Sequence, residues 1–197
     1  MKKNVVVVLV ALVAALFAFK PADSVLKFDT VASNVQWKGY KVTGSHEGTV
    51  AVQYGDLKYN DAGALTGIFV KMDMNKMVCT DLDAKMGGNL VGHLQADDFF
   101  GVVKFPTATF ESTKVTARDT KGNYMVVGKL TIKDKTQEVK FYANVADNAG
   151  VKTGTGKLTI DRSKFDIKYG SGSFFDGLGD KTIYDEFDIT FNIVAKK

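Results

Sequence analysis

Three stretches of this chain repeat in character every second residue, and that period leaves little choice of backbone. Ile68, Val70, Met72 and Met74 alternate with Phe69, Lys71, Asp73 and Asn75. Val139, Phe141, Ala143 and Val145 alternate with Lys140, Tyr142, Asn144 and Ala146, and Phe187, Ile189, Phe191 and Ile193 alternate with Asp188, Thr190, Asn192 and Val194. Successive side chains of a strand point to opposite faces, so this alternation predicts half-buried strands rather than helices. Weaker alternation predicts further strands over 34–42, 48–59, 107–118, 122–133 and 152–160.

Turn chemistry separates these runs. Asn60-Asp61-Ala62-Gly63, Asp119-Thr120-Lys121-Gly122-Asn123 and Asp147-Asn148-Ala149-Gly150 supply residues that tolerate positive φ, which predicts hairpins and an antiparallel meander. Eight or so strands in one small domain favour an all-β closed barrel or a sandwich, because closure removes exposed strand edges. One segment differs: between Thr80 and Phe100, Leu82, Met86, Leu90 and Leu94 recur every four residues, with Gly87-Gly88 interrupting. That spacing predicts a short helix or two, inserted between strands and covering one end of a barrel.

The N-terminus bears on compartment. Lys2 and Lys3 precede an apolar run from Val5 to Phe19, short for a membrane span and shaped like the core of a secretory signal. Residues 1–22 are therefore expected to be an export signal cleaved after Ala18 or Ala22, with an uncleaved anchor as the alternative, and the protein to be periplasmic or secreted. No cysteine lies near this segment, which argues against a lipoprotein. Removing it takes away Lys2, Lys3 and Lys20, so 26 basic residues become 23 against 22 acidic ones. A nearly neutral remainder without a basic cluster offers no footprint for nucleic acid. Residues 23–197 are one domain's worth of chain, with no stable membrane span expected in the mature form.

Catalytic and metal motifs are hard to assemble. His46 and His93 are the only histidines, and neither has HExxH or Cys/His spacing. Gly170 to Thr182 is glycine-rich, but Asp180 rather than glycine precedes Lys181, so no phosphate-binding GxxxxGK[ST] aligns. Gly170-Ser171-Gly172-Ser173 makes no GxSxG elbow, and Ser24-Val25-Leu26-Lys27 matches SxxK only at the ragged start of the mature chain. Cys79 is alone and reads as a small, partly buried apolar side chain. No catalytic residue, metal or cofactor is expected.

Aromatic residues are more telling. The doublets Phe99-Phe100 and Phe174-Phe175 cannot both be explained by strand alternation, since neighbours in a strand face opposite sides. They are expected in loops at a barrel rim, either presenting apolar surface to a ligand or folded over an ordinary core.

Four ordered blocks give the chain a resemblance: His93-Leu94 with Asp98-Phe99-Phe100; Phe105-Pro106-Thr107-Ala108-Thr109-Phe110 with Ser112; Gly128-Lys129-Leu130-Thr131-Ile132-Lys133 leading to Val139; and Ile160-Asp161-Arg162-Ser163-Lys164-Phe165-Asp166-Ile167. Together they resemble the YceI-like proteins, and the resemblance spans nearly all of the mature chain. It implies a lipocalin-like barrel that binds polyisoprenoid or other long amphiphilic lipids. Two positions depart from the family pattern: Ala32 stands where many members have histidine, and Val91-Gly92 where an Arg-Asp pair is frequent.

The leading expectation is a non-enzymatic lipid carrier or buffer, holding an isoprenoid or similar chain in the barrel, where each buried CH2 contributes about 0.8 kcal/mol. Its expected ligand-binding residues are Trp37, Tyr40, Phe69, His93, Asp97, Phe99, Phe100, Phe110, Arg162, Phe174, Phe175 and Tyr184. Among these, His93, Asp97, Arg162 and Tyr184 are the candidates for contacts to a polar head. Two alternatives remain open: a structural or stress-related module whose barrel is filled by its own side chains, and an enzyme acting on a lipid. The first predicts no sizeable cavity; the second predicts a perturbed carboxylate or histidine facing one. The oligomeric state is not legible.

Overall fold

The computed structural model describes residues 24–197, and the expected export signal at residues 1–22 lies outside the described residues. Nine strands form one antiparallel sheet: β1 (Ser24–Phe28), β2 (Asn34–Lys41), β3 (Gly44–Tyr59), β4 (Leu65–Cys79), β5 (Thr107–Ala117), β6 (Asn123–Ile132), β7 (Lys135–Asn148), β8 (Val151–Asp161) and β9 (Ile183–Lys196). From β3 to β9 each strand pairs with the next in sequence, and β2 joins β9 to β3, which closes the barrel. β1 and β2 lie in line between the same two neighbours, with Leu26 opposite Leu57 of β3, Phe28 opposite Ala195 of β9 and Val35 opposite Phe191 of β9. They are two halves of one stave, parted where Asp29 Oδ1 accepts hydrogen bonds from Val31 N and Ala32 N. The barrel therefore has eight staves, as the sequence predicts.

The expected hairpin turns form. In the β3–β4 turn, Asn60 Oδ1 accepts from Ala62 N and Ala64 N, and Gly63 takes φ +74°. The β3–β4, β5–β6 and β7–β8 hairpins share one end of the barrel. That end is packed by buried Leu26, Leu57, Tyr59, Leu65 and Ala195.

At the opposite end β4 gives way to a single helix, α1 (Ala84–Gln95). Asp83 caps it, accepting from Lys85 N and Met86 N at 2.9 Å each. The helix runs straight through Gly87-Gly88, contrary to an interruption there. Gly87 is buried against Cys79 of β4, where a Cβ would sit in ordinary contact at 3.4 Å, so this face of α1 lies on the strand. Met86 faces solvent, while Gly87, Leu90, Val91 and Leu94 form the inner stripe. Gln95 Nε2 then donates to the Met74 and Asn75 carbonyls at 3.2 Å, fixing the other end of the helix to β4.

Candidate functional site

The barrel encloses a cavity of about 610 Å3, well inside the range of roughly 300–1,000 Å3 typical of small-molecule sites. The three alternating stretches supply much of its wall: Ile68, Val70, Met72 and Met74 from β4; Phe141, Ala143 and Val145 from β7; Phe187, Ile189, Phe191 and Ile193 from β9. Many of these inward side chains are only half-buried, among them Ile68, Val70, Met72, Leu130, Leu158, Phe187, Ile189 and Phe191. Apolar residues that point inward yet stay accessible mark a lumen that neighbouring side chains do not fill. The filled-barrel expectation is not met.

Glycines keep the lumen wide. A Cβ at Gly156 would fall 2.5 Å from Phe191 Cζ, one at Gly48 2.7 Å from Trp37 Cζ2, and one at Gly128 2.5 Å from Phe110 Cζ. Gly156 pairs directly with Phe191 and Gly48 with Trp37 across the ladder. These lumen-facing rings lie flat over strand backbone instead of projecting into the centre.

The turn after α1 brings Phe99 and Phe100 under the helix. Phe99 N donates to Ala96 O, Phe100 N to Leu94 O and Gly101 N to Ala96 O, with Gly101 at φ +56°. Both rings line the cavity. Phe100 meets Phe187 edge-on at 6.5 Å, and Phe99 packs with Tyr169 at 5.8 Å. His93 stands edge-on to Tyr169 at 4.4 Å and to Phe99 at 5.4 Å, with Nε2 3.6 Å from Asp98 Oδ2.

Arg162 is the buried polar anchor of this end. Its Nε, Nη1 and Nη2 donate to the carbonyls of Tyr184, Ile167 and Ile183 at 3.1, 3.0 and 3.0 Å. Nη2 also lies 3.3 Å from Asp185 Oδ1, close enough for charge attraction though not aligned as a hydrogen bond. Burial pulls the guanidinium below its ordinary pKa, while Asp185 and Asp161 act against that shift. The residue straps the 166–182 segment to β9. Three of its N–H donors are given to protein carbonyls, so it shapes the cavity wall that it lines.

Of the expected site residues, Trp37, Tyr40, His93, Phe99, Phe100, Phe110, Arg162 and Tyr184 line the cavity. Four do not. Phe69 falls on the outer face of β4, as alternation with Ile68 and Val70 requires, with its ring 6.0 Å from Tyr54. Asp97 is exposed and accepts from Lys104 Nζ at 2.7 Å. Phe174 and Phe175 remain about half exposed on the 166–182 segment, with Lys168 Nζ 5.3 Å from the Phe174 ring centre. Asp97 and Phe175 border a separate surface depression. Tyr40 reaches the rim, but its hydroxyl turns outward to donate to Asp188 at 2.7 Å.

The mouth opens beside the β2–β3 hairpin, where Lys41, Thr43 and His46 face Asp180 and Lys181. Sequence reasoning missed all five: they carry no periodic signal, and only the ladder shows that Lys41 pairs with Ile183 and that Val42 N reaches Thr182 O. His46 Nδ1 is 3.0 Å from Asp81 Oδ2, and Cys79 Sγ is 3.1 Å from Asp81 Oδ1. Burial works to raise the Asp81 pKa, but bonds from Cys79, His46 and Glu47 N outweigh it and hold it at about 2. Burial and the Asp81 hydrogen bond push the Cys79 thiol up, and a carboxylate rather than the imidazole is its partner. This arrangement keeps the thiol protonated, which is the reverse of what a cysteine nucleophile needs. Among the described residues no group of three or more His, Cys, Asp or Glu is placed to hold a metal ion, and no helix is long and apolar enough to cross a membrane.

The family model for the YceI-like domain matches residues 26–195. The chain belongs to the YceI-like family. Among solved structures, this YceI-like chain is 29% identical to Burkholderia cenocepacia BcnA, with a TM-score of 0.68 over 86% of this chain and 99% of that one. A polyisoprenoid binding domain from Saccharophagus degradans, implicated in plant cell wall breakdown, is 16% identical with a TM-score of 0.61, covering 87% of this chain and 97% of its own. The Campylobacter jejuni YceI protein is 19% identical with a TM-score of 0.57, covering 72% and 79%. The last two likenesses concern the fold alone. Comparison with curated proteins gives no match.

Proposed function

We propose that this protein is an exported carrier that holds one long-chain amphiphilic lipid, an isoprenoid or a chain of similar character, in its barrel without chemically altering it. The observation that carries this reading is the cavity of about 610 Å3, walled by apolar side chains and opening at a polar rim. Such a lumen removes a hydrocarbon chain from water, a gain of about 0.8 kcal/mol per buried CH2 before ordering costs. A structural neighbour described as a polyisoprenoid binding domain supports a lipid ligand. Lys2, Lys3 and the apolar run after them support export.

The test is native mass spectrometry of the protein isolated from a bacterial periplasm, followed by solvent extraction. A stoichiometric adduct of long-chain lipid on a chain lacking residues 1–22 is the expected result. A ligand-free mass that stays unchanged after incubation with quinones, polyprenols and fatty amides would sink the carrier reading. A full-length mass recovered only from the cytoplasm would sink export.

A further inference from the structure

Polar groups are distributed unequally along the lumen. The deep end is walled by Phe28, Val35, Leu57, Val145 and Ile193, whereas every charged lining residue stands at the α1 end. Of these, Arg162 donates to three carbonyls and lies against Asp185, His46 is held by Asp81, and His93 Nε2 lies 3.6 Å from Asp98. Lys41, Lys181 and Asp180 remain. Among the described residues neither lysine's ammonium has an ion-pair or hydrogen-bond partner, and Asp180 is the single carboxylate on the cavity wall. Lys41 is half-buried opposite Ile183, and Lys181 lies two residues before Ile183 on the segment whose Thr182 carbonyl accepts from Val42 N at 3.1 Å. Lys41 and Lys181 thus stand on neighbouring segments at the same side of the mouth as Thr43, and Lys181 also borders the outer depression that Asp97, Asp98 and Asp166 line.

We propose that this mouth selects amphiphiles with an anionic head, a long-chain carboxylate or phosphate monoester, bound with the tail in the lumen and the head between Lys41 and Lys181; this rests on the carrier reading above. An anion there gains charge-assisted hydrogen bonds at the edge of an apolar cavity. A neutral head gains none of that charge assistance, and a cationic head is disfavoured.

The test uses the mature protein at low ionic strength and four ligands of one chain length: carboxylate, monoalkyl phosphate, primary alcohol and primary amine. Each is titrated below its micelle concentration by displacement of a fluorescent fatty probe. Wild type is expected to bind an anionic ligand about fivefold to thirtyfold more tightly than the alcohol, with the amine weakest, because two partly exposed charge contacts are at work. That ratio should shrink as salt is raised and fall towards unity in the Lys41→Gln/Lys181→Gln double variant. Which anion ranks first identifies the head. Equal binding of alcohol and anions, or a preference that survives the double variant, overturns the head-group inference while leaving the carrier intact. If folded protein binds none of the four, the carrier reading itself fails.

Discussion

Two side chains show how single residues hold this barrel. Asp188 on the outer face of β9 accepts from the Thr159 hydroxyl at 2.6 Å and the Tyr40 hydroxyl at 2.7 Å, and Lys157 Nζ lies 2.9 Å away, tying β2, β9 and β8 together. Thr159 first, then Lys157 and Tyr40, hold its pKa down at about 2 against an ordinary 3.8. A carboxylate whose folded pKa is depressed stabilises the native state above the unfolded value and loses that contribution as pH falls through the folded one. Asp188→Asn should therefore be less stable than wild type by about 1–2 kcal/mol near neutral pH. The gap should close as pH falls from about 4 to about 2. Urea unfolding of both proteins across that range measures it, and a gap that stays constant would show that the carboxylate's charge is not what matters. Arg162 acts from inside. Arg162→Met would leave the Ile167, Ile183 and Tyr184 carbonyls without their donor and Asp185 without its cation, a loss of about 3–5 kcal/mol. Arg162→Lys should fall between the two, since one ammonium cannot reproduce the planar fork that reaches three carbonyls. Denaturant midpoints at constant slope would report the order Arg, Lys, Met, and an unchanged midpoint for Met would remove the strap from this account.

Among the strands, the pairing of lumen aromatics with glycines makes the sharpest prediction. A methyl at position 156 would meet Phe191 Cζ at 2.5 Å and the Tyr142 carbonyl oxygen at 2.8 Å, so the ring must swing towards the lumen and the ladder must give slightly. Gly156→Ala should cost about 1–3 kcal/mol by overpacking. It should also shorten the longest chain that the barrel accepts, read by displacement assays over a series of chain lengths; full acceptance of the longest chain would refute the notch. The strands themselves were legible because a half-buried face imposes a period of two, which Ile68 to Met74 and Phe187 to Ile193 obey through their whole length. β1 was not foreseen. It offers only Leu26 and Phe28 to the interior, too short a run for alternation to show. The helix was legible from its four-residue spacing, but Gly87-Gly88 misled, because propensity argues for a break that the packing of buried Gly87 on Cys79 overrides. The two phenylalanine doublets are alike in sequence. They part only because Leu94, Ala96 and Gly101 close a turn beneath α1 around one, whereas the other lies on a segment that stays outside the barrel.

For the whole molecule, alternation specifies that one face of each strand is buried without saying what covers it. The same inward pattern serves a filled barrel and a hollow one, since the difference lies in summed side-chain volume against circumference. That is why alternation alone leaves both a carrier and a filled module open, while the rim at Lys41, His46 and Lys181 carries no periodic signal at all. Closure around eight staves, with glycines where aromatic rings lie flat, resolves the ambiguity in favour of a lumen. The stability of such a molecule should depend on what the lumen holds. A ligand that binds only the folded barrel adds about 2.7 kcal/mol when present at a hundred times its dissociation constant. For a domain of this size, each kcal/mol raises the melting temperature by about 2–4 °C, so a rise of about 5–10 °C is expected. With a homologous series of amphiphiles at fixed concentration, the rise should grow with each added CH2 while the chain still finds wall, because each buries further apolar surface. It should then level off once the tail reaches Leu57 and Ile193 and extra carbons must stay in water. Differential scanning calorimetry over that series separates the possibilities. No shift at any length would mean that the lumen does not take up chains, and a rise without a plateau would point to adsorption on the outer surface instead.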